Sequence, residues 1–157
     1  MSMYAEFTRD FAVRTLENLN YIETAEENGE GTYEVTQLLN SFLGLIVFPQ
    51  EQDRERVRRV SIASEIIDDL CASVTENTYT GQYKEVNLQN LIYHCRNAIS
   101  HGHIEPHADR NKEISVLEFY DCNPYRKKEQ FRIKVEISLL REFVCAFAEG
   151  LIRTYEN

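Results

Sequence analysis

Leu88-Gln89-Asn90-Leu91-Ile92-Tyr93-His94-Cys95-Arg96-Asn97-Ala98-Ile99-Ser100-His101-Gly102 reads as a helix with two unlike faces. Asn87 is a good N-cap, because its side chain can accept a hydrogen bond from the first turn. Gly102 fits just past the C-terminus and leaves His101 in the last turn. At about 100° per residue, Leu88, Leu91, Ile92, Cys95 and Ile99 fall within about 50° of one direction, the expected core face. Asn90, Asn97, His101 and His94 lie roughly opposite, at about 180–240° from Leu88, and Arg96 sits on the flank at about 80°. A plainly solvated face would carry Glu and Lys. This one carries two histidines and two asparagines, with an arginine beside them.

Upstream, the pattern stays helical. Tyr4 to Glu27 is an amphipathic helix with Phe7, Phe11, Leu16, Leu19 and Ile22 as its stripe, broken by Asn28-Gly29-Glu30-Gly31. Tyr33 to Val47 is apolar nearly all round, which suits the centre of a bundle, and Phe48-Pro49 should end it. A third helix is expected from Arg54 to Val74, with Ile62, Ile66, Ile67 and Leu70 buried. Thr75 to Gly81 reads as a loop. Downstream the period changes to two: Phe131, Ile133, Val135 and Ile137 alternate with charged residues as a half-buried strand. Ile114 to Asp121 is its less regular partner, with Asp121-Cys122-Asn123-Pro124-Tyr125 as turn chemistry between them. Ser138 can cap a last helix with the stripe Leu140, Phe143, Val144, Phe147, Leu151 and Ile152. The expected architecture is mainly α: one domain over residues 1–157, an up-and-down bundle of four or five helices, and one short β-hairpin before the last helix.

Composition narrows the class. The 157 residues are 43% hydrophobic, enough for a real core and against disorder. Seventeen basic against 26 acidic residues give a net charge of −9, which excludes a general basic coat for nucleic acid. The longest apolar run, Phe42 to Phe48, is far short of the roughly 18 residues that suggest a membrane span. No basic stretch followed by an apolar one opens the chain, so a cytoplasmic location without membrane attachment is expected. Cys71, Cys95, Cys122 and Cys145 form no C-x-x-C pair and are expected as free thiols, two or more of them buried.

All four histidines lie between His94 and His107. An imidazole can exchange a proton near neutral pH, and a guanidinium can neutralise charge growing on a phosphate. Arg96 and His101 together therefore suit phosphodiester chemistry. The plain alternative is that both favour the negative end of the helix dipole, by about 0.3–1 kcal/mol each. His94, His101, His103, His107, Glu105 and Asp109 offer metal-ligand chemistry, but H-x6-H-x-H-x3-H matches no familiar zinc spacing, so neither a metal nor another cofactor is expected. Two local basic patches, Arg54, Arg58 and Arg59, and Lys127 and Lys128 at the hairpin turn, are candidates for holding an RNA backbone. Each has an ordinary reading, as a solvated mixed-charge face and as lysines guarding a strand edge. Tyr83 and Tyr93 can stack on bases or simply pack.

Arg96-Asn97-Ala98-Ile99-Ser100-His101-Gly102 resembles the R-x4–6-H motif of the HEPN superfamily (higher eukaryotes and prokaryotes nucleotide-binding), in the form seen in small stand-alone bacterial HEPN nucleases. The resemblance implies a helical, metal-independent ribonuclease whose site forms where two protomers meet across a two-fold. By that resemblance His101 is the acid–base group, Arg96 stabilises the phosphoryl transition state, and Asn97 orients substrate or histidine. The implied products carry a 2′,3′-cyclic phosphate and a 5′-OH, and the implied roles include toxin or phage-defence effector. Expected partners are RNA, a second copy of the chain, and an antitoxin or regulatory protein. His103 stands where HEPN toxins silenced by an adenylylating partner have tyrosine, which argues against that mode of control. The alternative is a catalytically inert HEPN module that binds RNA, a nucleotide or a protein.

Overall fold

The computed structural model describes residues 6–126 and 128–156. Among these residues are six α-helices, against the four or five expected, a short 3-10 turn and a four-stranded antiparallel sheet. The mainly α expectation holds, but the sheet is larger than one hairpin. The chain divides into two compact units: residues up to Ile62 together with those from Arg141 onward, and Ala63 to Leu140.

The first unit holds α1 (Phe7–Glu27), α2 (Glu34–Gln52), α3 (Arg54–Arg59) and the larger part of α6 (Ile137–Arg153). α1 buries Thr8, Ala12, Thr15 and Leu19, not the full stripe expected, and Phe7 stays 44% exposed. Gly44 of α2 makes room for the Phe11 ring of α1: a Cβ there would meet Phe11 Cζ at 2.5 Å. Pro49 does not end α2. The helix runs three residues further, and the Asp53 N–H closes on the Pro49 carbonyl at 2.8 Å. Proline usually costs about 3 kcal/mol inside a helix. Here Pro49 is buried in the last turn, beside Phe48, whose ring meets Phe7 and Phe11 edge-on.

The single helix expected from Arg54 to Val74 is two helices. Asp53 caps α3, its side chain accepting from the Arg56 N–H, and Val60 then turns extended. The residues after α3 lie flush on Gly150 of α6, where a Cβ would come within 2.9 Å of Val60 Cγ1 and 3.0 Å of the Ser61 carbonyl. That packing overrides helix continuation. In α6, Phe143, Val144, Phe147 and Leu151 are buried as expected, while Ile152 is half-buried and Ser138 is a helix residue, not a cap.

The second unit holds α4 (Ser64–Ala72), β1 (Val74–Asn77), α5 (Leu88–Ser100), β2 (Ile104–Ala108), β3 (Ile114–Cys122), β4 (Gln130–Glu136) and the first turn of α6. The strand order is β1-β4-β3-β2. The expected hairpin is β3–β4, with Phe119 opposite Ile133. It gains an edge strand on each side: β1 comes mostly from the segment expected as a loop, and β2 from residues for which no strand is expected. Both are short, and β2 contains Pro106, tolerated because an edge strand has one side free of ladder bonds. The sheet is two-faced. Leu117, Phe119, Phe131, Ile133 and Val135 are buried, and α5 packs against β3. The other face carries Glu105, His107, Glu118, Tyr120, Arg132 and Lys134.

Candidate functional site around the end of α5

Asn87 caps α5 as expected, its Oδ1 accepting from the Asn90 N–H at 3.0 Å. The C-terminus is closed by a Schellman arrangement, with the His103 N–H on the Ala98 carbonyl at 2.8 Å and the Gly102 N–H on the Ile99 carbonyl at 3.0 Å. Gly102 takes φ +69°, a conformation that suits glycine. The Tyr120 N–H then donates to the His103 carbonyl at 3.1 Å, so the chain passes from helix to sheet within two residues. His101 is the exposed C-cap residue and Arg96 is half-buried one turn back.

His94 is not on an open face. It is 1% exposed, lies parallel to the Phe131 ring at 4.2 Å, and its Nδ1 is 2.7 Å from Asp121 Oδ2. The buried arc of α5 reaches round to about 240° because the sheet covers that flank as well as the aliphatic one. The same Asp121 oxygen accepts from Tyr79 Oη at 3.0 Å and from Asn97 Nδ2 at 3.3 Å. Burial pushes the Tyr79 hydroxyl well above its ordinary pKa, and the Asp121 carboxylate adds to this. Asn90 is also engaged, donating to the Gln82 and Glu85 carbonyls. Tyr83 and Tyr93 stack on each other at 4.1 Å. Asp121, which the sequence offers both as the end of the strand and as the start of the turn, is a buried strand residue: β3 runs on to Cys122, so D-C-N-P signals the turn two residues too early. Asn123 makes the turn instead, accepting from the Tyr125 and Arg126 N–H groups.

On the outer face, Gly102, His103, Ile104, Glu105, Glu118, Tyr120 and Arg132 line an open cleft of about 330 Å3. The rings of His101 and His103 are 5.9 Å apart, His103 and Tyr120 5.6 Å, and the Arg132 guanidinium lies 4.4 Å over Tyr120. Glu118 is buried under Arg132, His107 and Lys134. Its hydrogen bond from Arg132 leads in holding the carboxyl down to about 2, against the cost of burial. Glu105, His107 and Glu118 are close enough to share a cation, but Arg132 and Lys134 already supply positive charge to Glu118. The wider histidine set weighed from sequence is not brought together, since His94 and His107 each pair with a different carboxylate. His107 is thus a strand residue, and none of Arg132, Glu118 or Tyr120 stood out in the sequence. Their period-two placement beside His103 was the available signal.

Arg54, Arg58 and Arg59 lie exposed on α3 in the first unit, with Arg58 paired to Glu55 at 2.8 Å. Arg59 and Arg153 line a separate cleft of about 240 Å3. Lys128 is exposed in the β3–β4 turn, and Lys127 lies outside the described residues. The four cysteines are free thiols, but only Cys95 is fully buried.

A helix carrying R-x4-H-G, capped so that the histidine faces outward beside a polar cleft, is what the HEPN resemblance leads one to look for. The family model described as HEPN pEK499 p136 matches residues 1–157, and the chain belongs to this HEPN family. Comparison with curated proteins and with solved structures gives no match. No helix among the described residues is long and apolar enough to cross a membrane.

Proposed function

We propose that this HEPN protein is a metal-independent endoribonuclease, active as a homodimer and serving as a toxin or phage-defence effector under an antitoxin or regulatory partner in the cytoplasm. HEPN domains are generally ribonucleases or RNA-related modules, which sets the class. The observation that carries the reading is the exposed C-cap position of His101, one turn beyond Arg96 and next to an open cleft. His101 takes the 2′-OH proton or supplies one to the leaving 5′ oxygen. Arg96 neutralises charge on the phosphorane. Asn97 acts through α5, since its amide is committed to Asp121. The products carry 2′,3′-cyclic phosphate and 5′-OH ends. Arg54, Arg58, Arg59, Lys127 and Lys128 supply backbone contacts to the RNA.

The second reading, a binding-only HEPN module, is favoured by the net charge of −9. One assay separates the two. Purified protein is incubated with mixed RNAs in EDTA beside Arg96→Ala and His101→Ala. Cleavage that survives EDTA and falls at least about 100-fold in both variants is expected, the usual scale of a lost proton-transfer group. Activity that needs an added divalent ion, or that survives His101→Ala, contradicts the assignment.

A further inference from the structure

We infer that the outer face of the sheet beside His101 is a stacking platform for single-stranded RNA, with Tyr120 and His103 as its base-binding surfaces. The inference rests on the ribonuclease reading for its ligand and names the substrate class, an unpaired strand.

The placement is set by register. β3 and β4 pair so that Tyr120 stands opposite Arg132 and Glu118 opposite Lys134, while β2 places Glu105 opposite Glu118. All of these side chains share the face that α5 does not cover. From the C-cap outward, His101, His103 and Tyr120 follow one another at ring separations of 5.9 and 5.6 Å, and Arg132 lies over Tyr120 at 4.4 Å. Each of these groups neighbours the next, and the succession leads from Arg132 to His101 at the proposed scissile position. They line or adjoin a cleft of about 330 Å3, roomy enough for a base.

The charges indicate stacking more than phosphate binding. Glu118 is neutralised by Arg132 and Lys134 and pairs with His107, and Arg132 also meets Glu76 at 3.7 Å. Glu105 is exposed beside the cleft. With Arg132 and Lys134 committed to carboxylates, the surface offers a base a π-face more than it offers a phosphate a cation, and the Glu105 carboxylate can accept from an exocyclic amine of the base. A duplex hides its base faces, so the strand must be unpaired. Aromatic side chains on an exposed sheet are a recurring way to hold such strands.

The test is fluorescence anisotropy of a short unstructured oligoribonucleotide of mixed sequence with the full-length His101→Ala protein. Tyr120→Ala, Tyr120→Phe and His103→Ala are each added in that background. Wild-type cleavage of the same RNA is followed in parallel. Tyr120→Ala should weaken binding by about 5- to 160-fold, the range for loss of one stacked base, and Tyr120→Phe should restore it. His103→Ala changes an exposed side chain, leaves the fold intact, and should weaken binding in the same direction. The Tyr120-dependent part should persist as salt is raised, because stacking releases no counterions. Unchanged binding in Tyr120→Ala and His103→Ala, with RNA still cut by the wild type, overturns the platform and leaves the ribonuclease standing. Tyr120-dependent binding with no cleavage keeps the platform and removes the ribonuclease. No binding at all overturns the inference, as does failure of Tyr120→Phe to restore it.

Discussion

His94 Nδ1 lies 2.7 Å from Asp121 Oδ2, with both side chains almost completely buried. This contact joins the middle of the motif helix to a central strand. With Tyr79 and Asn97 donating to the same oxygen, one carboxylate satisfies three donors from two segments. His94 Nε2 has no hydrogen-bond partner among the described residues, and its ring stacks on Phe131 with the Tyr79 ring tilted against it at 4.5 Å. The polar face of α5 is therefore used inside its own unit. Asn97 is fixed by this arrangement before any substrate arrives.

Asp121→Ala should accordingly be costly. Removing one partner of a buried charged or polar pair leaves the other uncompensated, a loss of about 3–5 kcal/mol. Asp121→Asn keeps an acceptor for His94 and should lose less. Urea denaturation of both variants measures this. A loss below about 0.5 kcal/mol for Asp121→Ala, the scale of an ordinary surface change, contradicts the account.

The sequence made α5 legible because both its signals are local: apolar spacing at Leu88, Leu91, Ile92 and Cys95, and caps at Asn87 and Gly102. The error at His94 has the opposite origin. A helical wheel gives the direction of a side chain but not what lies there, and here Phe131 and Asp121 arrive from residues distant in sequence. The edge strands escaped for a related reason. Val74-Thr75-Glu76-Asn77 and Ile104-Glu105-Pro106-His107-Ala108 have no sustained alternation, and their structure depends on partners across the sheet. Arg96 and His101 were visible as a motif, whereas Tyr120, Glu118 and Arg132 become a cluster only through strand register.

Glu118 gives the sheet an acid-sensitive point. Its folded pKa is depressed to about 2 from an ordinary 4.5, chiefly by the Arg132 hydrogen bond. A depressed carboxyl stabilises the fold above its unfolded pKa and loses that contribution as pH falls through the folded value. Wild type should therefore exceed Glu118→Gln in Tm near neutrality. The gap should narrow across the window between 4.5 and about 2. Thermal melts of both proteins over a pH series test this. A gap that stays constant or widens towards acid gives the wrong sign and removes Glu118 as the cause.

The proposed homodimeric site makes the last prediction. Transesterification at the 2′-OH is best served by separate groups for base and acid, and each chain carries one motif histidine. An isologous interface presents the same patch twice, so a two-fold near His101 would supply two Arg96 and two His101 side chains to one cleft. With Asn90, His94 and Asn97 committed within their own unit, such an interface must use the exposed end of α5. Arg96→Ala and His101→Ala should each be inactive alone. In a mixed dimer, the first contributes an intact His101 and the second an intact Arg96, so co-refolding the two should restore part of the RNA cleavage. Specific activity of the wild type should also fall on dilution, as dimers dissociate. If the mixture stays as inactive as its components while the wild type keeps full specific activity when dilute, Arg96 and His101 act within one chain and the composite site is wrong.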